Sequence, residues 1–286
     1  MKLNKMNIQA HSFSPCTYLL NNSSSRALAS SRKPFNVFGR NLLCGKIKIR
    51  TSVFSAPERI NLSTQKPKRK VVEHITLVKA NEGLSDEEEK DMLDYLYTCQ
   101  YQMGGIVSIS LGRISNKNPD KYTHAIFMRF QRKEDLAKFY DNPFYLGVIK
   151  EHVSPYCHDM LHADFESEVE DDILPIFRKG EEFNYGVEFV ILVALDGSAE
   201  DALASLSELM MEFPSLIVQY TQGLNYNVGS KEFTHVVFVR FRSSEAFKIF
   251  SESSEYRDIW RSKFQPVIHK VISVNYSVDP VGTEVM

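Results

Sequence analysis

Two stretches of this chain carry the same hydrophobic pattern. Residues 122–130 read Tyr-Thr-His-Ala-Ile-Phe-Met-Arg-Phe and residues 233–241 read Phe-Thr-His-Val-Val-Phe-Val-Arg-Phe, 111 positions apart. Aromatic and β-branched residues at this density favour a strand. At a period of two, Tyr122, His124, Ile126, Met128 and Phe130 share one face, and Thr123, Ala125, Phe127 and Arg129 share the other. Both faces are largely apolar, so the strand belongs in a sheet covered on both sides.

The pattern around each copy is also repeated. In the first half, residues 71–78 read as a strand. Ser85 and Glu88 form a capping box ahead of Met92, Leu93, Leu96 and Cys99 at helical spacing, and Gly104-Gly105 ends that helix. A strand over 106–112, a polar turn over 116–120 and the strand over 122–130 follow. A short helix then turns Leu136, Phe139 and Tyr140 inward and breaks at Asn142-Pro143; a second helical piece spans 144–152, and a last strand 159–165. The order is βαββαβ, the ferredoxin-like arrangement.

The second half repeats it. The elements are a strand over 186–195, a Ser198-capped helix with Leu203, Leu206, Met210 and Phe213, a strand over 216–224, and the strand 233–241. A Ser243-capped helix over 244–252, a helical piece around Trp260 and a strand over 269–276 complete it. One such unit covers only one sheet face with helices. Two units can stack their bare faces. The expected fold is therefore α+β, with two ferredoxin-like repeats stacked as a dimeric α+β barrel within one chain. The boundaries read as 67–168 and 184–279, with a tail at 280–286. Between them lies an acidic, solvated linker, 169–183, whose charge begins at Glu166, Glu168 and Glu170.

Charge separates a further segment. Residues 1–57 hold nine Lys/Arg and no Asp or Glu, leaving 25 Lys/Arg against 36 Asp/Glu in the remainder. The basic, Ser- and Asn-rich composition of residues 1–66 is that of an organelle transit peptide. The expected address is the chloroplast, with the mitochondrion as the alternative. Lys66-Pro67-Lys68-Arg69-Lys70 reads as a basic linker or as a nuclear signal. The acidic body argues against a nucleic-acid partner. No apolar run reaches the ~20 residues that span a bilayer, which argues against a membrane-embedded protein. Four cysteines, Cys16, Cys44, Cys99 and Cys157, lack paired spacing and read as reduced thiols.

Candidate chemistry is sparse. His158 and His162 are four apart, but on a strand that separation is ~13 Å, too far to share one metal ion. No phosphate loop, nucleophile elbow or carboxylate pair is present, and no metal or cofactor is expected. Arg129 and Arg240 recur on the face assigned to the barrel interior, where each pairs with an acid across the interface or holds an anionic ligand.

Several motifs together resemble a family. Val72-Glu73-His74-Ile75, Gly112, Tyr122-Thr123-His124, Phe130, Asn142-Pro143 and Asp164-Phe165, echoed by Phe233-Thr234-His235, Phe241 and Asn275-Tyr276, resemble the stress-responsive A/B barrel (Dabb) domain in its plant tandem form. The resemblance implies the dimeric α+β barrel. It also implies that His74 and His124 stand where histidines line a pocket, with His235 repeating His124 and Phe189 replacing His74. Tyr140 and Tyr145 lie on the helix above, and Tyr256 is the second-half counterpart of Tyr145. One kind of family enzyme, a polyketide cyclase, uses a His–Tyr pair at positions that here hold Tyr145 with Phe139, and Tyr256 with Phe250. Phenylalanine exchanges no proton, and an ordinary tyrosine is a poor base at neutral pH.

The expected function is therefore a non-enzymatic stress- or defence-response protein, structural or binding a small apolar or aromatic molecule. The alternative is a cofactor-free enzyme of the polyketide-cyclase-like type. The two repeats are expected to pair intramolecularly, with a homo-oligomer left open, and any ligand pocket is expected in the first half.

Overall fold

The computed structural model describes residues 68–170, 186–197 and 199–278. The leader at 1–66, most of the linker at 169–183, the helix-capping Ser198 and the tail at 280–286 lie outside the described residues.

The first half runs β1 (Lys68–Ala80), α1 (Asp86–Gln102), β2 (Ile106–Arg113), β3 (His124–Phe130), α2 (Lys133–Tyr140), α3 (Pro143–Val148) and β4 (Cys157–Glu170). The second runs β5 (Val187–Leu195), α4 (Ala199–Glu212), β6 (Ile217–Leu224), β7 (His235–Phe241), α5 (Ser244–Ser251), α6 (Ser254–Ile259) and β8 (Ile268–Ser277). Both sheets are antiparallel with equivalent orders, β2-β3-β1-β4 and β6-β7-β5-β8.

Local chemistry explains the helix limits. The Ser85 hydroxyl accepts from the Glu88 amide at 3.2 Å, and the Glu88 carboxylate accepts from the Ser85 amide at 2.9 Å. The capping box thus satisfies two N-terminal donors of α1. Asn142 caps α3, with Pro143 at its first turn, where a missing N–H costs nothing. After α3 the chain widens into a π-type turn over Ile149–Val153, and after α6 it does the same over Trp260–Phe264.

Three apolar clusters give the layers. Val72, Val78, Ile126, Met128 and Phe130 face α1–α3, packing on Met92, Leu93, Leu96 and Phe139. Phe189, Ile191, Val193, Val237 and Val239 face α4–α6 in the same way. Between the sheets, Ile75, Leu77, Ala125, Phe127 and Phe165 meet Val190, Leu192, Val236, Phe238 and Val274. This middle layer is the joint between the repeats, and each buried aliphatic or aromatic side chain contributes about 1.5–3 kcal/mol.

The sheet edges close on each other at two glycines. A Cβ on Gly112 would sit 2.1 Å from the Ser277 carbonyl, and one on Gly223 would sit 2.5 Å from the Glu166 carbonyl. Only a bare backbone permits such an approach. Beyond these points the β2–β3 loop bonds to β8: the Ser115 amide donates to the Asn275 carbonyl at 2.8 Å. The β6–β7 loop bonds to β4: the Tyr226 amide donates to the Asp164 carbonyl at 2.9 Å.

Two expectations need correction. Tyr122 precedes β3 and packs into the layer between the sheets, not beside His124. Glu166, Glu168 and Glu170 belong to β4 rather than to a solvated linker. They alternate with buried Ser167 and Val169, and Glu168 and Glu170 stand opposite Lys70 and Lys68 on β1. Opposite charges across a ladder stabilise the pairing that a run of like charges would otherwise oppose.

Candidate functional site

The densest group of titratable side chains lies on the helix-facing side of the first sheet. β1 and β4 pair with His74 opposite Asp164 and Thr76 opposite His162. His74 Nδ1 lies 2.6 Å from Asp164 Oδ1, and His74 Nε2 lies 2.8 Å from the Thr76 hydroxyl. The same hydroxyl lies 2.9 Å from His162 Nδ1. The two imidazoles stack with centroids 5.4 Å apart and planes 19° apart. From α2 the Tyr140 hydroxyl donates to Asp164 Oδ2 at 3.0 Å.

The second half completes the shell. Asn227 Nδ2 donates to Asp164 Oδ2 at 2.7 Å and to the Tyr140 oxygen at 3.0 Å. The Asp164 amide donates to Asn225 Oδ1 at 3.1 Å. Asp164, His74 and Thr76 are buried, while His162 and Tyr140 are half-buried. Every polar side-chain atom of the three buried residues, Asp164, His74 and Thr76, has a partner, as burial demands.

The electrostatics follow from that geometry. Burial alone would raise the Asp164 carboxyl, but the His74 hydrogen bond and charge, then Asn227 and Tyr140, hold it below the usual carboxylate range. Burial and the adjacent His74 push the His162 imidazole down to about 4. Burial, then the Asp164 charge, pushes the Tyr140 phenol far above its ordinary value. The arrangement can hold and move a proton along a fixed line, with a carboxylate at its inner end.

His124 does not join this group. It stands opposite Val78 on β1, whereas His74 stands opposite Met128, so the two residues are offset by four strand positions, roughly 13 Å along the strand. His124 Nε2 instead meets Glu89 Oε1 at 2.8 Å, and its Nδ1 meets the Thr123 hydroxyl at 2.9 Å. Burial pushes His124 below its usual value, and Glu89 offsets part of that.

Tyr145 is buried against Phe139 with ring centroids 4.0 Å apart, and burial raises its phenol. Together with Thr76, Leu96, Met128 and Met160 it encloses a void of about 10 Å³, space for one water at most. In the second half the His235 ring meets the Thr234 hydroxyl at 2.9 Å. Tyr256 packs between Phe250 and Trp260, with centroids 4.9 and 6.2 Å away. Phe189, at the His74 position, packs on Phe247 at 5.2 Å.

Arg129 and Arg240 face the barrel interior, and each pairs with an acid on the neighbouring strand of its own sheet. Arg129 pairs with Glu73, and Arg240 with Glu188. Across the interface Arg129 donates to Gln219 at 2.8 Å, Thr221 to Glu73 and Ser110 to Glu188 at 2.7 Å, and the Glu73 charge also acts on Arg240. Glu73 and Glu188 escape a reading of the sequence, although two acids repeated inside apolar strands are a signal. Thr76, Asn227 and the role of Asp164 escape it too, because only the register of β1 with β4 brings them together.

The comparisons agree with this architecture. The stress responsive A/B barrel domain family matches residues 72–167. A stress-response A/B barrel domain-containing protein of Arabidopsis thaliana is 24% identical over 225 residues, covering 76% of this chain and 82% of the relative. A second protein of that description from the same plant is 23% identical over 224 residues, covering 73% and 97%. Among solved structures, an anthrone oxidase-like protein superposes with a TM-score of 0.55 at 11% identity, covering 74% of this chain and 94% of its own; at that identity only the fold is shared. Residues 72–167 thus match the stress-responsive A/B barrel family, the second half repeats the same architecture, and the relatives similar along both halves are stress-response A/B barrel proteins.

Proposed function

We propose that this is a non-enzymatic stress-response barrel protein whose interior is structural. One observation carries the reading: the void beneath Tyr145, lined by Thr76, Leu96, Met128 and Met160 between the first sheet and its helices, measures only about 10 Å³. The names of the family and of the two Arabidopsis relatives support the stress association. Calorimetric titration with small aromatic and fatty-acid probes tests it. No binding to the wild type is expected, whereas Tyr145→Ala, which enlarges the void, gains an apolar site. Saturable wild-type binding that His124→Ala weakens more than His235→Ala would instead support a first-half ligand pocket.

A second reading, a cofactor-free acid–base enzyme, is favoured by Asp164, His74 and Tyr140 standing in direct contact. Turnover of an aromatic polyketide-like substrate, lost in His74→Gln, would establish it over the first.

We also infer that residues 1–66 address the chain to the chloroplast. Their acid-poor, Ser-rich composition supports this. A fluorescent reporter fused behind them should enter plastids; a mitochondrial or cytosolic reporter would refute it.

A further inference from the structure

His74 and Asp164 are sealed from water at 0% and 3% exposure, yet a continuous line of hydrogen-bonding groups leads outward from them. One orientation satisfies every group. Ionised Asp164 accepts from His74 Nδ1–H, His74 Nε2 accepts from the Thr76 hydroxyl, and the Thr76 oxygen accepts from His162 Nδ1–H. That leaves His162 Nε2 as the outermost lone pair, on a half-buried side chain.

We propose that Thr76 and His162 form a proton relay that charges the buried His74 from solvent. A proton taken up at His162 Nε2 makes that ring an imidazolium. Its Nδ1 proton passes to the Thr76 oxygen as the Thr76 hydroxyl proton passes to His74 Nε2. His162 ends neutral with its proton on Nε2, Thr76 is again a hydroxyl, and His74 is an imidazolium beside the Asp164 carboxylate. Each hydrogen bond along the relay survives with its direction reversed, so no buried group is left unpaired at either end of the transfer. Threonine suits the middle position, because a hydroxyl both donates and accepts.

The surroundings favour the charge at the inner end. Around His74 stand the Asp164 carboxylate on β4 and the Tyr140 phenol on α2, with neutral Asn227 reaching in from the second half. Around His162 stand the stacked His74 ring and the carboxylates of Asp159 and Asp164. Tyr226, close to Asp164 and Glu166, keeps its phenol proton because burial raises it. A carboxylate in direct contact is a better home for a cation than a stacked second ring. The row exists once: the second half has Phe189, Ile191, Ser273 and Asn275 in the paired positions.

The test uses the full chain with ¹⁵N-labelled histidine, following ring nitrogen resonances from pH 8 to pH 4. At each pH the rate of proton exchange at the His74 ring is read from exchange broadening of its nitrogens. In the wild type His74 Nε2 should exchange rapidly and in step with His162. Thr76→Val, nearly the same in shape, should abolish the fast exchange at His74 while that at His162 persists; Thr76→Ser should restore it. Should the valine variant fail to fold, His162→Gln removes the entry point and should likewise abolish fast exchange at His74. Fast His74 exchange that persists in Thr76→Val or in His162→Gln would overturn the relay, and so would a serine variant that behaves like the valine one.

Discussion

The rings of Phe127 and Phe238 lie stacked, with centroids 4.1 Å apart and planes 15° apart, each from a central strand of its own sheet. They are the same residue of the repeated motif, 111 positions apart. The joint between the repeats is therefore centred on a side chain meeting its own counterpart. Alanine at either position should cost about 3–5 kcal/mol. A double-mutant cycle by urea unfolding should give a coupling of about 0.5–1.5 kcal/mol; additive losses would mean that the rings do not act as a pair.

Closure at the strand ends depends on missing side chains. Gly112→Ala and Gly223→Ala force a Cβ into a carbonyl of the other half, and each should destabilise by about 1–3 kcal/mol or more. Gly147→Ala, within α3 and with nothing within 4 Å of the added atom, should instead stabilise by about 0.5–1 kcal/mol. Thermal melts of the three variants decide it, and a tolerated Gly112→Ala would contradict the close approach.

Stability should fall as the solution is acidified from neutrality. His162 binds its proton at about 4 when folded against an ordinary 6.5, so between those values the unfolded chain takes up more protons. Unfolding is favoured progressively as pH drops through that window, by up to about 3 kcal/mol from this group. His124, lowered by burial, acts in the same direction. Asp164 and Glu89, both held below their usual values, remove further stability at lower pH as they protonate. Urea midpoints measured from pH 7 to pH 4 should decline, and His162→Asn should make the decline shallower.

The interior ion pair between Glu73 and Arg129 offers a fourth measurement. Both side chains are completely buried. Glu73→Gln removes a negative charge in direct contact with a buried guanidinium and should cost about 3–5 kcal/mol. Replacing both residues with apolar ones of similar volume should recover most of that loss. A Glu73→Gln protein as stable as the wild type would show that the pair contributes little.

The fold is legible because each level of sequence signal agrees with the next. The Ser85 capping box, the Met92–Cys99 stripe and the Asn142-Pro143 break all sit where periodicity and caps put them. The strand ends are not legible. Glu166 to Glu170 read as solvated charge, because their partners Lys68 and Lys70 are about 100 positions away and only tertiary pairing joins them. The candidate site divides in the same manner. His74 and Tyr140 can be singled out from their own strand and helix, but Thr76, His162 and Asn227 acquire meaning only through strand register and the loop of the other half. Spacing along one strand raises His162 only as a metal ligand, and it cannot reveal a partner on the next strand.

Asn225 and Asn227 reach from the β6–β7 loop into the row around Asp164, while the matching Asn116 in the first half bonds to the backbone at Ser273 and Asn275. An assembly of two identical subunits would have to build any such row twice and supply the clasp from both sides at once. Joining the repeats in one polypeptide removes that obligation: one repeat can specialise as the host of ionisable groups, while its twin drifts toward an apolar buttress. Substitutions at Phe189 and at His74 are then free to follow different selective histories, although the two positions occupy the same address in the architecture.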